Sequence, residues 1–302
     1  MVVVVTVRAH GCPLQAMVAA WGVDERTVAD GWARAGRQGQ AVPEDLVEPP
    51  RERGHVQADA LRVKTQGGSV WMALARMVKT RWWLGGEVSA PRAMPLMRQL
   101  SERVRRWAAH RPLVLWTEGW CTSLRAMRQT VREPVRPGPG GRPWRRPWRT
   151  VLSAHVVTRS ARRRVVGTAR RMVEGTPARV ETLRRRAQGA GVINTASIER
   201  LHAPCRERVA PLACRGRALA RPTLTLQHGM SLLGTVSNVY TPPARLSDAG
   251  VTTPAMAAGI TDHGRTVREL RSFQVPRSRW APPQRRGRPA RAPQRLSERW
   301  CS

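Results

Sequence analysis

Three acidic residues in a strongly basic chain are spaced as metal-binding carboxylates could be. Asp59 lies in a strand-like run, Glu118 follows a short apolar run, and Glu199 lies in a helix-like stretch. Carboxylates are hard oxygen ligands, and two Mg²⁺ ions about 3.5–4 Å apart activate a hydroxyl and stabilise the leaving oxygen during phosphodiester cleavage. We therefore expect Asp59, Glu118 and Glu199 to be catalytic and metal-binding residues, with two Mg²⁺ ions, or Mn²⁺ in their place, as cofactors.

The competing interpretation of an acid in a basic protein is a salt-bridge partner at the surface. Four other acids fit that interpretation well: Glu102, Glu133, Glu174 and Glu181. On spacing alone it is also the more frequent outcome for the trio. The catalytic interpretation therefore depends on the elements that would position the three acids.

The pattern along residues 55–131 predicts a sheet with flanking helices. His55–Ser89 favours three antiparallel strands, because a Gly-Gly pair at 67–68 separates two β-prone runs. A helix, a buried strand and a second helix are then predicted at Ala93–His110, Leu113–Trp116 and Ser123–Val131. The order βββαβα is the ribonuclease H-like arrangement. In that arrangement an acid on the first strand meets another just beyond the fourth. We expect an α/β catalytic domain over residues 51–240, with this mixed sheet flanked by helices.

The N-terminal 50 residues indicate a helix-turn-helix followed by a linker. Within Cys12–Gly36, Gly22 can end a first helix and Asp24 can cap a second. The inward stripe of the first helix is predicted as Leu14, Met17, Val18 and Trp21. The second helix would offer DNA the residues Arg26, Thr27 and Arg34. A plain helical hairpin is the alternative, and Gln38–Gly54, which contains three prolines, is predicted as linker.

The charge of the chain indicates a nucleic-acid partner. Lys and Arg number 53 against 20 acids, which gives a formal net charge of +33. All but two of the 53 are Arg, the better bidentate ligand for phosphate. We expect double-stranded DNA as the partner; an acidic membrane surface is the alternative.

Two Arg-rich segments add candidate DNA contacts. Arg136–Arg149 is a Pro/Gly-rich loop that could lie along DNA or be a solvated linker, and Pro282–Arg295 belongs to a basic, partly disordered tail over residues 241–302. The contact residues expected from these segments are Arg142, Arg145, Arg146, Arg286 and Arg288.

Cysteine usage and hydropathy indicate an intracellular protein. The five cysteines are scattered without a CxxC pair, and no apolar run approaches the roughly 20 residues of a membrane span. The N-terminal MVVVVTV is too short for a signal peptide. We expect a cytoplasmic, nucleoid-associated protein without a membrane partner.

Several blocks of the chain resemble bacterial insertion-sequence DDE transposases. They are Ile193–Arg221, Val56–Trp71 and Thr253–Leu270, together with Cys12–Ala33, which is similar to the helix-turn-helix of that family. The resemblance spans residues 10–300, and its INTA-IER block is the most specific part. It implies a ribonuclease H-like domain that cuts transposon ends and joins them to target DNA with Mg²⁺, working as a homo-oligomer. Asp59, Glu118 and Glu199 then match the first Asp, the second Asp and the final Glu of the family.

Three departures from the family pattern bear on activity. Glu118 is one methylene longer than Asp, and a displacement of about 1 Å can cost about 10²-fold in rate. His202 stands where the family usually has Asn, and Pro204 would kink a helix beside Glu199. Such changes are typical of a copy drifting without selection. The sequence therefore leaves open an active transposase, a decayed one, a non-catalytic DNA-binding remnant and an unfolded basic product.

Overall fold

A computed structural model describes most of the 302-residue chain. The described ranges are 2–46, 54–65, 68–107, 113–118, 121–135, 144–148, 151–161, 164–188, 195–209, 223–243 and 252–274.

Ten helices and eight strands form within these ranges. The helices are α1 Val2–Ala9, α2 Leu14–Trp21, α3 Glu25–Leu46, α4 Met94–Trp107, α5 Cys121–Thr130, α6 Pro177–Gln188, α7 Ala196–Arg208, α8 Thr223–Val239, α9 Pro254–Ala257 and α10 Val267–Ser272. The strands are β1 His55–Thr65, β2 Gly68–Met77, β3 Trp83–Ser89, β4 Leu113–Glu118, β5 Arg132–Val135, β6 Trp144–Pro147, β7 Val151–Ala161 and β8 Arg164–Glu174.

Six strands form one mixed sheet in the order β3-β2-β1-β4-β7-β8. β1 pairs antiparallel with β2 and parallel with β4, and β4 is parallel to β7. The predicted βββαβα order is confirmed, and β7 pairs antiparallel with β8 beyond it. The result is an α/β fold whose mixed sheet is flanked by helices and compatible with a ribonuclease H-like arrangement.

Both faces of the sheet are covered because β1 alternates its apolar side chains. Val56 and Ala58 join the main hydrophobic cluster, which also contains buried residues of α4 and α5. Leu61 and Val63 join a second cluster, which contains the buried residues of α7 and part of α8. Since side chains alternate between faces, Asp59 shares its face with Leu61 and therefore with α7.

The prediction of a linker from Gln38 is wrong for its first nine residues, because these residues are helical and α3 ends only at Leu46. Gly36 and Gly39 let α8 approach closely: a Cβ built on Gly36 would lie 2.4 Å from the Cβ of His228. The buried guanidinium of Arg103 also holds Glu44 at 3.0 Å. Tertiary packing thus maintains the helix through Pro43, where propensity alone would end it.

The N-terminal helices follow the predicted turn with one exception. Gly22 has the left-handed φ of 59°, and the Asp24 carboxylate accepts a hydrogen bond of 3.1 Å from the Thr27 amide. Met17 is fully buried in a small cluster with Val4 and Val28. Leu14 packs against this cluster as well, whereas Trp21, which was expected to point inward, lies at the end of the helix and is 46% exposed.

Two segments predicted as irregular contain regular structure. Part of the loop Arg136–Arg149 is strand β6, which pairs with β5 because the buried Trp148 donates its backbone N–H to the Val131 carbonyl at 3.1 Å. Residues 252–274 form α9 and α10, where the sequence predicts a tail, and their buried residues Val267 and Leu270 belong to the main cluster. The remainder of the predicted tail, from residue 275, lies outside the described residues.

None of the helices in the described ranges combines the length and apolar composition needed to cross a bilayer.

Candidate functional site

The strand register brings two of the three predicted acids to the same level of the sheet. β1 and β4 pair in parallel from His55 opposite Val114 to Ala58 opposite Thr117. Asp59 and Glu118 follow one residue later on their strands, at the end of β4. The backbone thus carries both residues at adjacent positions near the centre of the six-stranded sheet. The side chain of Glu118 lies outside the described side chains.

Helix α7 brings the third acid to the face that Asp59 occupies. The side-chain oxygen of Gln57 accepts a buried hydrogen bond of 2.9 Å from the Ile198 amide, which fixes the first turn of α7 on β1. The Glu199 side chain is exposed and accepts a hydrogen bond from the Thr195 hydroxyl. The helix remains a single element through Pro204, where the sequence predicts a kink.

His202 connects α7 to Asp59 directly. Its Nε2 lies 3.3 Å from Oδ2 of Asp59, and both side chains are buried. Burial, and then the nearby Arg206 charge, lower the pKa of His202 from 6.5 to about 4. The imidazole is therefore neutral at pH 7, and the contact is a neutral imidazole against a carboxylate. Glu199 lies three residues earlier, on a neighbouring part of the helix surface.

Asp59 supplies one oxygen donor of the kind that hard divalent cations bind. Asp59 is a buried carboxylate, and one of its oxygens accepts a 2.7 Å hydrogen bond from the Ala60 amide. Among the described side chains, which exclude that of Glu118, no group of three His, Cys, Asp or Glu residues is placed to hold a metal ion. The described part of the site thus consists of Asp59, the His202 imidazole beside it, and Glu199, which lies about one helical turn before His202 on α7.

Three of the four acids expected to be salt-bridge partners do have that role. Arg146 lies 2.6 Å from Glu133, Arg184 lies 2.6 Å from Glu181, and Glu174 pairs with Arg128. Each of these three acids therefore neutralises an arginine, as the sequence predicts.

The predicted DNA contacts of α3 lie on its solvent side and border a cleft. Arg26, Thr27 and Arg34 are exposed. Thr27 and Arg34 line a cleft of about 440 Å³ between α1, α3 and α10, to which Arg271 adds a second guanidinium. The sequence offered no signal for Arg271, because only the fold brings α10 beside α3.

Of the two predicted DNA contacts on β6, one is engaged within the protein. Arg145 on β6 is exposed, whereas Arg146 is engaged by Glu133. Arg142, Arg286 and Arg288 lie outside the described residues.

No protein-family model matches the chain, and no curated protein is significantly similar to it.

Proposed function

We propose that this chain is a DNA transposase of the DDE type, which cuts DNA strands and transfers them within a ribonuclease H-like domain. The observation that carries the proposal is the register of β1 against β4, which sets Asp59 level with Glu118 beside the helix of Glu199. The sheet order β3-β2-β1-β4-β7 supports it, because it places the first and fourth strands side by side at the centre.

The contacts around Asp59 and Glu199 would position these two acids for metal binding. Asp59, Glu118 and Glu199 would hold Mg²⁺, which supplies charge stabilisation and an activated hydroxyl when bound. Gln57 anchors the start of α7 on β1 through the Ile198 amide, and so keeps the distance between strand and helix constant. The Thr195 hydroxyl restrains the carboxylate of Glu199 by donating to it.

DNA binding would come from the N-terminal helices and the basic surface. α2 and α3 are joined by a tight turn at Gly22, and α3 presents Arg26, Thr27 and Arg34 to solvent. This connection favours a helix-turn-helix that uses α3 for recognition. Two DNA ends must be held together for transposition, so the proposal includes a homo-oligomer on DNA.

One contact favours a second function, that of a DNA-binding remnant without catalysis. The neutral imidazole of His202 lies with its Nε2 3.3 Å from Oδ2 of Asp59, next to an oxygen that a metal ion would require. Glu118 adds a methylene to the second acid position. In this alternative the fold and the basic surface remain while the acids no longer act.

Replacing Glu118 by Asp discriminates between the two functions. Wild type and Glu118→Asp are incubated with Mg²⁺ and duplex DNA that borders the gene, and nicking and binding are measured in the same samples. We expect the shorter acid to raise nicking by about 10²-fold, since a metal ligand displaced by about 1 Å is corrected. Binding by both proteins with nicking by neither would establish the remnant instead.

A further inference from the structure

A second cleft lies along the flank of α7 that faces away from Asp59. It has a volume of about 310 Å³ and is formed by the turn between β2 and β3, by α7, and by the end of α8. Four of its lining residues are arginines: Arg76, Arg81, Arg200 and Arg208. Among the described residues that line it there is no Asp or Glu. We call it the arginine cleft.

Two of the four arginines are fixed in place by the body of the protein. Arg76 donates from Nη1 to the Ser197 carbonyl at 3.1 Å and from Nε to the Arg81 carbonyl at 2.9 Å. Arg81 donates to the Ser197 hydroxyl at 2.5 Å and has a φ of 60°, which is costly for a residue with a side chain. These bonds hold two guanidinium groups close together in an arrangement that their charges oppose.

The other two arginines come from one side of α7. Arg200, Pro204 and Arg208 are spaced by four residues, so they follow one another along the same helix face. His202, which contacts Asp59, lies on the opposite flank. The cleft and the His202 contact with Asp59 therefore lie on different sides of α7.

The electrostatics of the cleft favour an anion. Burial, followed by the charges of Arg81 and Arg200, lowers the pKa of Arg76 from 12.5 to about 10. A bound anion would offset this mutual repulsion, and guanidinium groups match the oxygens of a phosphate in bidentate pairs.

We propose that the arginine cleft holds a backbone phosphate of DNA lying across α7. The choice of DNA as the source of the phosphate rests on the proposed function. The cleft would grip the strand beside the bond to be cut and so position it, a role distinct from that of the three acids.

Arg208→Gln tests this inference, with Arg105→Gln as the matched control. Both arginines are half-buried in the last turn of a helix, but Arg105 lies on α4, on the opposite face of the sheet. Affinity for duplex DNA is measured for the full chain over a salt series. We expect Arg208→Gln to weaken binding about tenfold and to reduce the slope of log affinity against log salt by about 0.9, the share of one phosphate contact. Arg105→Gln should change affinity less than twofold.

Arg200→Gln is a second variant, at an exposed residue of the cleft. We expect it to weaken DNA binding as well. Equal losses in the cleft and control variants would overturn the inference and leave the proposed function intact. A wild type that binds no DNA would overturn both. If only the cleft variants lose DNA affinity and no protein nicks DNA, the result supports the inference on the cleft and counts against the proposed transposase. If inorganic phosphate stabilises only the wild type while DNA affinity is equal in all variants, the cleft takes free phosphate and the DNA inference is wrong.

Discussion

At the scale of single residues, the environment of Asp59 is the best-defined part of the candidate site. It is buried, its face of β1 is covered by α7, and His202 lies against it. The strand-like run around Asp59 and the helix around Glu199 could be predicted from the sequence. The His202 contact could not, because it depends on how α7 lies on β1 through the Gln57 bond to Ile198.

A buried histidine elsewhere on β1 makes stability depend on pH. Burial, followed by the charges of Arg184 and Arg81, lowers the pKa of His55 from 6.5 to about 3. Below pH 6.5 the unfolded chain takes up a proton that the folded chain excludes, so the free energy of unfolding falls as the pH falls. We expect a loss of up to about 1.4 kcal/mol per pH unit from this residue between pH 6.5 and 5.

Urea denaturation at several pH values measures this slope, and His55→Gln is the comparison. The variant should have a shallower slope than the wild type across the same window, whatever its absolute stability. A wild type whose stability is constant or increases as the pH falls from 6.5 to 5 would contradict the assignment of His55 as a neutral buried group.

At the scale of elements, local signals predicted the turn between α2 and α3 and the order of strands and helices from β1 to α5 along the chain. Gly22 and Asp24 act as expected because their effects are confined to a few neighbouring residues. The predicted end of α3 was wrong, because the length of this helix is set by its packing against α8, nearly 200 residues later in the chain. The small residues Gly36 and Gly39 resemble helix breakers in sequence but are contact points in the fold.

Gly36→Ala tests this helix pairing. The new methyl group would meet the Cβ and Cα of His228 at 2.4 and 2.8 Å, so α3 and α8 would have to separate. Although alanine is the better helix former, we expect a net loss of about 1–3 kcal/mol in the free energy of unfolding. Gly167→Ala on β8 is the control, since its Cβ would meet nothing within 4 Å. Chemical denaturation should leave that variant within about 0.5 kcal/mol of wild type; equal effects of the two substitutions would disprove the close packing.

At the scale of the whole molecule, charge and topology act together. A net charge of +33 gives attraction to DNA without specifying where the strand lies. The fold gathers arginines that are far apart in the chain: Arg34 with Arg271 in one cleft, and Arg76 with Arg208 in another. The expectation of a DNA partner comes from composition, whereas these two concave surfaces depend on long-range packing that no local pattern encodes.

The central claim is that Asp59 acts in metal-dependent cleavage of DNA. It is tested most directly in the Glu118→Asp background, by comparing that protein with the same protein carrying Asp59→Asn. A third protein, with Asp45→Asn on α3, controls for the loss of one carboxylate charge away from the site. With Mg²⁺ and duplex DNA, Asp59→Asn should lower nicking by about 10²-fold or more, while Asp45→Asn retains it. Equal nicking by all three proteins, or nicking by none of them, would contradict the account.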